Sequence, residues 1–329
     1  MKLIVNHFPY KSFNDFDLHE FEIAILSDPI VKQAKRPKAV ILKINQKLSK
    51  LLSIFNINHI KSTSISLLSY PLLDSKHLFS LMLGPDFNSY IPYSYFSSNN
   101  RSIYIFDAWP CHHNSIVSFV LNYKIDHLFV NSLQVTETLR KFLPSTNIHW
   151  IPEGIDPNDY EISKVKSIDV LSFGKKFNLY HETILPILLK NNFTYLYEKV
   201  KGEVVFKERS EFITGLGNAK ISICFPSNIT HPERSADIEV MTMRYLQSIV
   251  SKCLIVGQAP KEMIELFGYN PVIEIDWTSP ENQITNILNQ FNEYQYLIEK
   301  NFSMVVNNHT WNHRWSLIKK NLLQKQNIL

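Results

Sequence analysis

The sequence predicts an α/β protein made of two Rossmann-like domains whose parallel sheets face each other across a cleft, and three observations predict it. The chain of 329 residues is long enough for two domains of roughly 100–200 residues each. Short β-like runs alternate with helical runs through most of its length. Near the middle, IPEGIDPNDY (151–160) is punctuated by Pro152, Gly154 and Pro157 and reads as a linker. The expected domains are therefore 1–150 and 151–329.

In the first half, strands are expected near 2–7, 63–68, 102–107, 126–131 and 147–151, where β-branched and aromatic residues run together. Helices are expected near 39–56, 113–123 and 133–143. After Pro37 the positions Val40, Ile41, Ile44, Leu48, Leu51, Leu52 and Phe55 recur at helical spacing, with Lys43, Lys47 and Lys50 between them. GPDFNSYIPYSYFSSNN (84–100) reads as a loop. The second half gives strands at SIDVLSF (167–173), FTYLYE (193–198), KISICF (220–225), CLIVG (253–257) and PVIEI (271–275). Helices fall between them, near 179–190, 206–217, 237–251 and 260–267, each βα unit having the length of a Rossmann repeat. The tail from about 280 is helical.

Composition narrows the class. With 45% hydrophobic and 19% charged residues the chain is globular, not disordered. Only 8 glycines exclude collagen-like and glycine-linker architectures. No run of about 18 apolar residues is present, so no transmembrane helix is expected. The first residues lack the apolar core of a signal peptide. Three cysteines (Cys111, Cys224, Cys253), widely spaced, fit a reduced cytoplasm and offer no metal spacing. The net charge of +4 is uneven: residues 1–150 hold 15 Lys+Arg against 10 Asp+Glu, and 151–329 hold 19 against 20. Seven of the basic residues lie in 31–50 without an acid. The predicted helix there is an ordinary surface helix with a solvated basic face, or a peripheral contact of 31–55 with an anionic membrane or with a phosphate-bearing acceptor.

The chemistry concentrates in CFPSNITHPERSADIEVMTMRYLQSIVSKCLIVG (224–257). A strand ends at Phe225, a polar loop follows, and a helix is expected from Asp237, whose side chain suits an N-cap. That places Glu239 in the first turn, where it would accept hydrogen bonds from sugar hydroxyls, with the amides near Ile238 facing an anion. A first-turn Glu is otherwise macrodipole complementarity. Gln247 lies eight residues on, on roughly the same face, with Arg244 beside it able to reach a phosphate.

Glu239, seven residues, Gln247 and then QSIVSKCLIVG resemble the Glu-x7-Glu motif of retaining, nucleotide-sugar-dependent GT-B glycosyltransferases. TMRYLQSIVSKCLIVG is also similar to the T-x-R-x-x-E phrase of CgeB-like glycosyltransferases. IPEGIDPNDY resembles that family's interdomain phrase, DVLSFGKKFNLYHETIL the first strand and loop of its C-terminal domain, and HTWNHRW (309–315) its closing helix. Two departures stand out: Gln247 replaces the second acid, and Lys252 stands where glycine is usual. The resemblance spans about 150–329, and the N-terminal half matches only in outline.

The resemblance implies a GT-B fold with an acceptor-binding domain at 1–150 and a donor-binding domain at 151–329, ending in a closing helix at 309–325. It implies that Gly174, Lys175 and Lys176 face a donor diphosphate, joined by Arg234 and Arg244, that Glu239 orients the sugar ring, and that Gln247 holds the ribose. Transfer would retain anomeric configuration. The donor is a UDP-, GDP- or dTDP-sugar. No cofactor and no metal are expected, since no Asp-x-Asp occurs and cations with helix amides can carry the phosphates. In the first half, IYIFDAWPCHHNSIV (103–117) ends a strand at Asp107 and places Trp109, His112 and His113 on the loop that follows. Asp107 or a histidine would take the acceptor hydroxyl's proton, and Trp109 would stack on a ring. Tandem histidines on such a loop are otherwise solvated side chains.

The leading expectation is a cytoplasmic enzyme, peripheral on the inner face of the membrane or free of it. It would move a sugar to a glycan or lipid-linked acceptor in bacterial-type surface-glycan assembly (O-antigen, capsule or lipopolysaccharide). Alternatives are glycosylation of protein or DNA, or a non-catalytic nucleotide-sugar or glycan-binding protein on a degenerate transferase fold. A stable nucleic-acid complex is not expected, because binding by seven clustered cations would fall steeply with salt.

Overall fold

The structure is a computed structural model, and it describes residues 3–5, 16–34, 77–87, 90, 100–200 and 202–323. The chain divides into two compact units: Met1–Ile151 together with Trp315–Leu329, and Pro152–Arg314. The helix expected at 39–56, the strand expected at 63–68 and most of the basic stretch 31–55 lie outside the described residues.

In the first unit the order is β1 (Leu3–Val5), α1 (Phe16–Leu26), β2 (Val31–Gln33), β3 (His77–Leu83) and β4 (Asn100–Phe106). Then come α2 (His113–Tyr123), β5 (His127–Val130), α3 (Leu133–Phe142) and β6 (Asn147–Trp150). The six strands form one sheet in the order β2-β1-β3-β4-β5-β6, every described pair parallel. Helices that cover such a sheet leave its strands as continuous apolar runs, as in HLFV of β5, where all four residues are buried. The core gathers Leu3, Val5, Phe21, Leu78, Phe79, Tyr104 and Phe129. The Ser132 hydroxyl caps α3 by accepting the Val135 N–H. None of α1, β2 and β3 is among the expected elements.

The second unit runs β7 (Ile168–Ser172), α4 (Asn178–Lys190), β8 (Tyr195–Tyr197), α5 (Arg209–Gly217) and β9 (Ala219–Cys224). It continues through two single-turn helices, α6 (Ser227–Thr230) and α7 (Pro232–Ser235), then α8 (Met243–Val250), β10 (Leu254–Gly257), α9 (Lys261–Phe267) and β11 (Ile273–Glu274). Helices α10 (Pro280–Asn289) and α11 (Gln295–Asn308) follow, and α12 (Trp311–Leu323) carries the chain back into the first unit. The sheet order is β11-β10-β9-β7-β8, all parallel. The strand order reverses between β7 and β9, and in open α/β sheets ligands bind outside the carboxyl ends of the strands at such a switch point. The core there is Val170, Tyr180, Ile184, Ile221, Ile223, Leu254, Val256 and Ile284.

Two details depart from the sequence reading. The residues from Trp315 onward, assigned above to the second domain, cluster with the first unit. The Trp315 ring packs edge-on against Phe79, its indole N–H donates to Asp28 at 3.0 Å, and Lys319 pairs with the same carboxylate at 2.6 Å. The helix expected over 237–251 begins instead at Met243, with Thr242 at its N-cap position. Residues 238–242 stay non-helical because tertiary partners hold them: the buried Glu262 carboxylate accepts the Met241 N–H at 2.7 Å, and the Ile238 carbonyl accepts the Ser227 hydroxyl at 2.9 Å.

The linker is locked to the start of α12 within the second unit. Ile155 bridges Thr310 in parallel and accepts the Trp311 N–H, while the Glu153 carbonyl accepts from Arg314 at 3.0 Å. A Cβ on Gly154 would lie 2.8 Å from the Trp311 nitrogen, closer than side-chain carbons approach backbone.

Candidate functional site

The turn after β7 reads Phe173-Gly174-Lys175-Lys176. Gly174 has φ +70°, a left-handed conformation that costs glycine little. Its open face lies against Arg244, whose guanidinium carbon would be 3.5 Å from a Cβ there. Arg244 Nη1 donates to the Phe173 carbonyl at 3.4 Å and the Lys175 carbonyl at 3.2 Å. Arg244 is the one residue of α8 that is not buried, so that helix anchors it through its seven other side chains. The guanidinium therefore grips the β7 turn at the sheet's switch point.

Lys175 Nζ pairs with Glu233 of α7 at 2.9 Å, both partners being exposed. Such a pair is worth little energetically but fixes where the ammonium rests. Lys176 turns elsewhere: Nζ donates to the Glu198 carbonyl and lies 5.0 Å from the centre of the Tyr197 ring. The lysine pair, adjacent in sequence, is thus divided between α7 and the end of β8.

His231, between α6 and α7, senses this collection of charge. Burial first, and then the positive charges of Lys175, Arg234 and Arg244, push its imidazole down to about 4, with only Glu233 acting the other way. The three cations named from sequence thus act on one ring, which sequence reasoning did not single out. Glu233 was missed in the same way. His231 lies between two single-turn helices and Glu233 on the second of them, and the local sequence there carries no helical period.

Glu239 is not in a helical first turn. It lies in the non-helical stretch before α8, and its carboxylate accepts the Lys261 N–H at 3.2 Å. Ile238 offers no helix-end amide, because its N–H donates to the Ser235 carbonyl at 3.0 Å. Asp237 is likewise not an N-cap. Gln247 lies within α8 and is 8% exposed. Lys252, where glycine is usual in the resembling family, has φ +53°. Its ammonium binds both oxygens of Glu299, at 2.6 and 2.7 Å. Further round the same unit, Trp277 is 51% exposed and packs edge-on against Phe177 and Tyr180.

In the first unit, Asp107 follows β4 with φ +53°, an uncommon conformation in which Asp is enriched. Its carbonyl accepts the Trp109 N–H at 2.8 Å. Trp109 is 4% exposed, so its ring belongs to the core and is not a free stacking platform, a correction to the expected role. His113 is also buried, against the reading of a solvated or acceptor-facing side chain; its Nε2 lies 3.1 Å from the Ala108 carbonyl and so carries the hydrogen. Burial lowers its basicity. His112 is half-buried at the end of a single 3-10 turn, Pro110–His112. Of this group Asp107 and His112 keep accessible surface.

Among the described residues, no group of three or more His, Cys, Asp or Glu is placed to hold a metal ion, and no helix is long and apolar enough to cross a membrane.

No protein-family model matches the sequence, and no curated protein matches it. Solved structures do resemble it. Anabaena Alr3699/HepE in complex with UDP and glucose is 10% identical, with a TM-score of 0.56 over 98% of this chain and 99% of that one. Sucrose-phosphate synthase from Thermosynechococcus elongatus gives a TM-score of 0.56 at 10% identity, with the same coverage of 98% and 99%. A glycosyltransferase from Rickettsia africae is 12% identical, with a TM-score of 0.53 over 98% of this chain and 99% of that one. With a parallel α/β sheet in each of its two units, the chain has the fold of GT-B glycosyltransferases.

Proposed function

We propose that the protein is a glycosyltransferase that moves a sugar from a nucleotide-sugar donor to a saccharide acceptor. The observation that carries this reading is the cation cluster at the switch point of the second sheet. There Arg244 clasps the Gly174 turn, and Lys175 and Arg234 act on the same ring, His231. Preorganised cations are what a departing diphosphate requires as the glycosidic C–O bond breaks. In this assignment Lys175, Arg234 and Arg244 hold the diphosphate, with Gly174 allowing close approach of the backbone. Glu239 orients the sugar through its hydroxyls and Gln247 accepts the ribose. Lys176 serves from the side of β8. The acceptor hydroxyl attacks the anomeric carbon on the face the diphosphate leaves, and its proton passes to a leaving phosphate oxygen.

The first unit is the acceptor side in this reading, with Asp107 and His112 the accessible members of the group after β4. UDP-sugars are the first donors to test, since HepE binds UDP with glucose in the structure that this chain resembles. A saccharide acceptor carried on a lipid would suit the basic stretch 31–55, and co-sedimentation with anionic vesicles tests that contact. Surface-glycan assembly is the pathway class we assign.

Two measurements test the function. A nucleotide sugar that binds the native state at a hundredfold excess over its dissociation constant stabilises the protein by about 2.7 kcal/mol, readable as a thermal shift. Glu239→Ala is then expected to lower turnover on the order of a hundredfold with the thermal shift retained, while unchanged turnover removes the central assignment. The second reading, a nucleotide-sugar-binding protein without turnover, draws on Gln247 in place of an acid; binding with no transfer to any acceptor would favour it.

A further inference from the structure

We propose that His231 is the titrating partner of the donor diphosphate: neutral while the cation cluster is empty, it takes one proton from solvent when a diphosphate diester settles among Lys175, Arg234 and Arg244. The inference rests on the donor-site reading above and adds to it a proton that binds with the donor. Three observations carry it.

The first is placement. His231 adjoins a connected set of charges. Glu233 and Arg234 follow it on α7, the Arg234 N–H donating to the His231 carbonyl at 3.0 Å. Lys175, from the turn after β7, pairs with Glu233 at 2.9 Å, and Arg244 of α8 donates to the Lys175 carbonyl at 3.2 Å. All four act on the ring. Three cations against one carboxylate leave a local excess of two positive charges. A diphosphate diester brings two negative charges, so its arrival cancels the repulsion that adds to burial in keeping the ring neutral, and sets an anion beside the imidazole.

The second is the ring's hydrogen bond. Nδ1 lies 2.9 Å from the Thr230 hydroxyl, which has the Pro226 carbonyl within 3.3 Å as a second acceptor. With the hydroxyl hydrogen turned to Pro226 its oxygen accepts from Nδ1–H, so the contact is kept when both ring nitrogens carry hydrogen. The third is rigidity. The His231 carbonyl accepts the backbone N–H groups of Arg234 and Ser235 and the Ser235 hydroxyl, so the ring is mounted on a fixed corner.

Glu233 cannot mimic the effect near neutrality. Its hydrogen bond with Lys175 holds its carboxyl below the ordinary 4.5, and release of that bond returns it only to the carboxylate range.

The test is isothermal titration of the full chain with UDP-glucose at about pH 6.5, in two buffers of different ionisation enthalpy, which counts protons taken up per donor bound. UDP-glucose is suited to this because it has no group that titrates near neutrality. The expected result is an uptake of roughly half a proton or more. Affinity should rise several-fold from about pH 7.5 to 6, toward the limit of tenfold per pH unit for one linked proton. In His231→Gln, which cannot titrate, the uptake and the pH slope should vanish while binding stays measurable. His231→Asn serves if the first variant does not fold. Binding by the wild type without proton uptake, or uptake that persists in the variant, overturns this inference alone. Absence of binding by UDP-glucose, dTDP-glucose and GDP-mannose overturns both it and the donor-site reading.

Discussion

Arg244 is the single residue of α8 that is not buried, and its guanidinium holds the carbonyls on both sides of Gly174. Replacing it with alanine removes the hydrogen bonds that hold the Gly174 turn and, in the proposed site, a cation's charge-assisted hydrogen bonds to the diphosphate. Loss of such bonds to a phosphate is worth about 1.5–3 kcal/mol, so donor affinity should fall roughly ten- to a hundredfold, measured by titration calorimetry. The fold should survive, since the helix is anchored by its other side chains; equal affinity in Arg244→Ala would place the phosphates elsewhere. Gly174 and Lys175 stand out in one run after a strand and Arg244 in another, sixty-nine residues from Lys175, and it is the fold that brings the two runs into contact. His231 and Glu233 do not stand out, because they join the cluster only through the folding of α6 and α7. Lys252 shows the reverse case. Its departure from glycine was plain in the sequence, but that the site needs a left-handed backbone, and that Glu299 binds the lysine in return, required coordinates.

At the scale of elements, the strands and helices of the second unit were legible because parallel, doubly covered strands are short apolar runs set off by polar turns. All five strands lie within two residues of their expected limits. The start of α8 was misplaced for a reason that no local rule contains: Met241 gives its N–H to Glu262, twenty-one residues onward, instead of to a helix. In the first unit β3 went unrecognised because six of its seven residues are buried, so HLFSLML shows neither a period of two nor one of 3.6. The joint between linker and α12 makes an element-scale prediction. Gly154→Ala would press a methyl carbon against the Trp311 backbone, and neither side can swing away as a side chain would. A loss of about 1–3 kcal/mol is expected, in the range of overpacked cores, readable as a lowered urea midpoint. An unchanged midpoint would mean that the bridge between Ile155 and Thr310 is not formed in solution.

At the scale of the whole molecule, histidines shape the response to acid: among the described residues three are pushed down furthest, and His113, His149 and His181 are lowered in the same direction. Burial pushes His77 down to about 4, and burial followed by Arg314 and His313 pushes His309 down to about 3. His231, about 4, joins them while the donor is not bound. Each value is below that of the unfolded chain, near 6.5, so acid protonates the unfolded state first. The histidines' contribution to stability is therefore full above about pH 6.5 and falls as pH drops toward their folded values, below which protonation of carboxylates such as Asp28, held below its ordinary 3.8, continues the loss. A deeply buried site such as His77 contributes at most about 1.4 kcal/mol per pH unit. The melting temperature should decline steadily between pH 6.5 and 4.5, and a flat profile over that interval would contradict the burial of these rings.

The clustering of Trp315–Leu329 with the first unit bears on how the molecule is made. A ribosome completes Pro152–Arg314 before it supplies the indole that packs on Phe79 and the two donors that Asp28 awaits. The second unit can thus fold while the first is still short of its last helix, although the first is synthesised earlier. A gene fragment that stops at the linker would encode a half-molecule lacking a piece of itself, and that piece would have to be added in trans as a peptide.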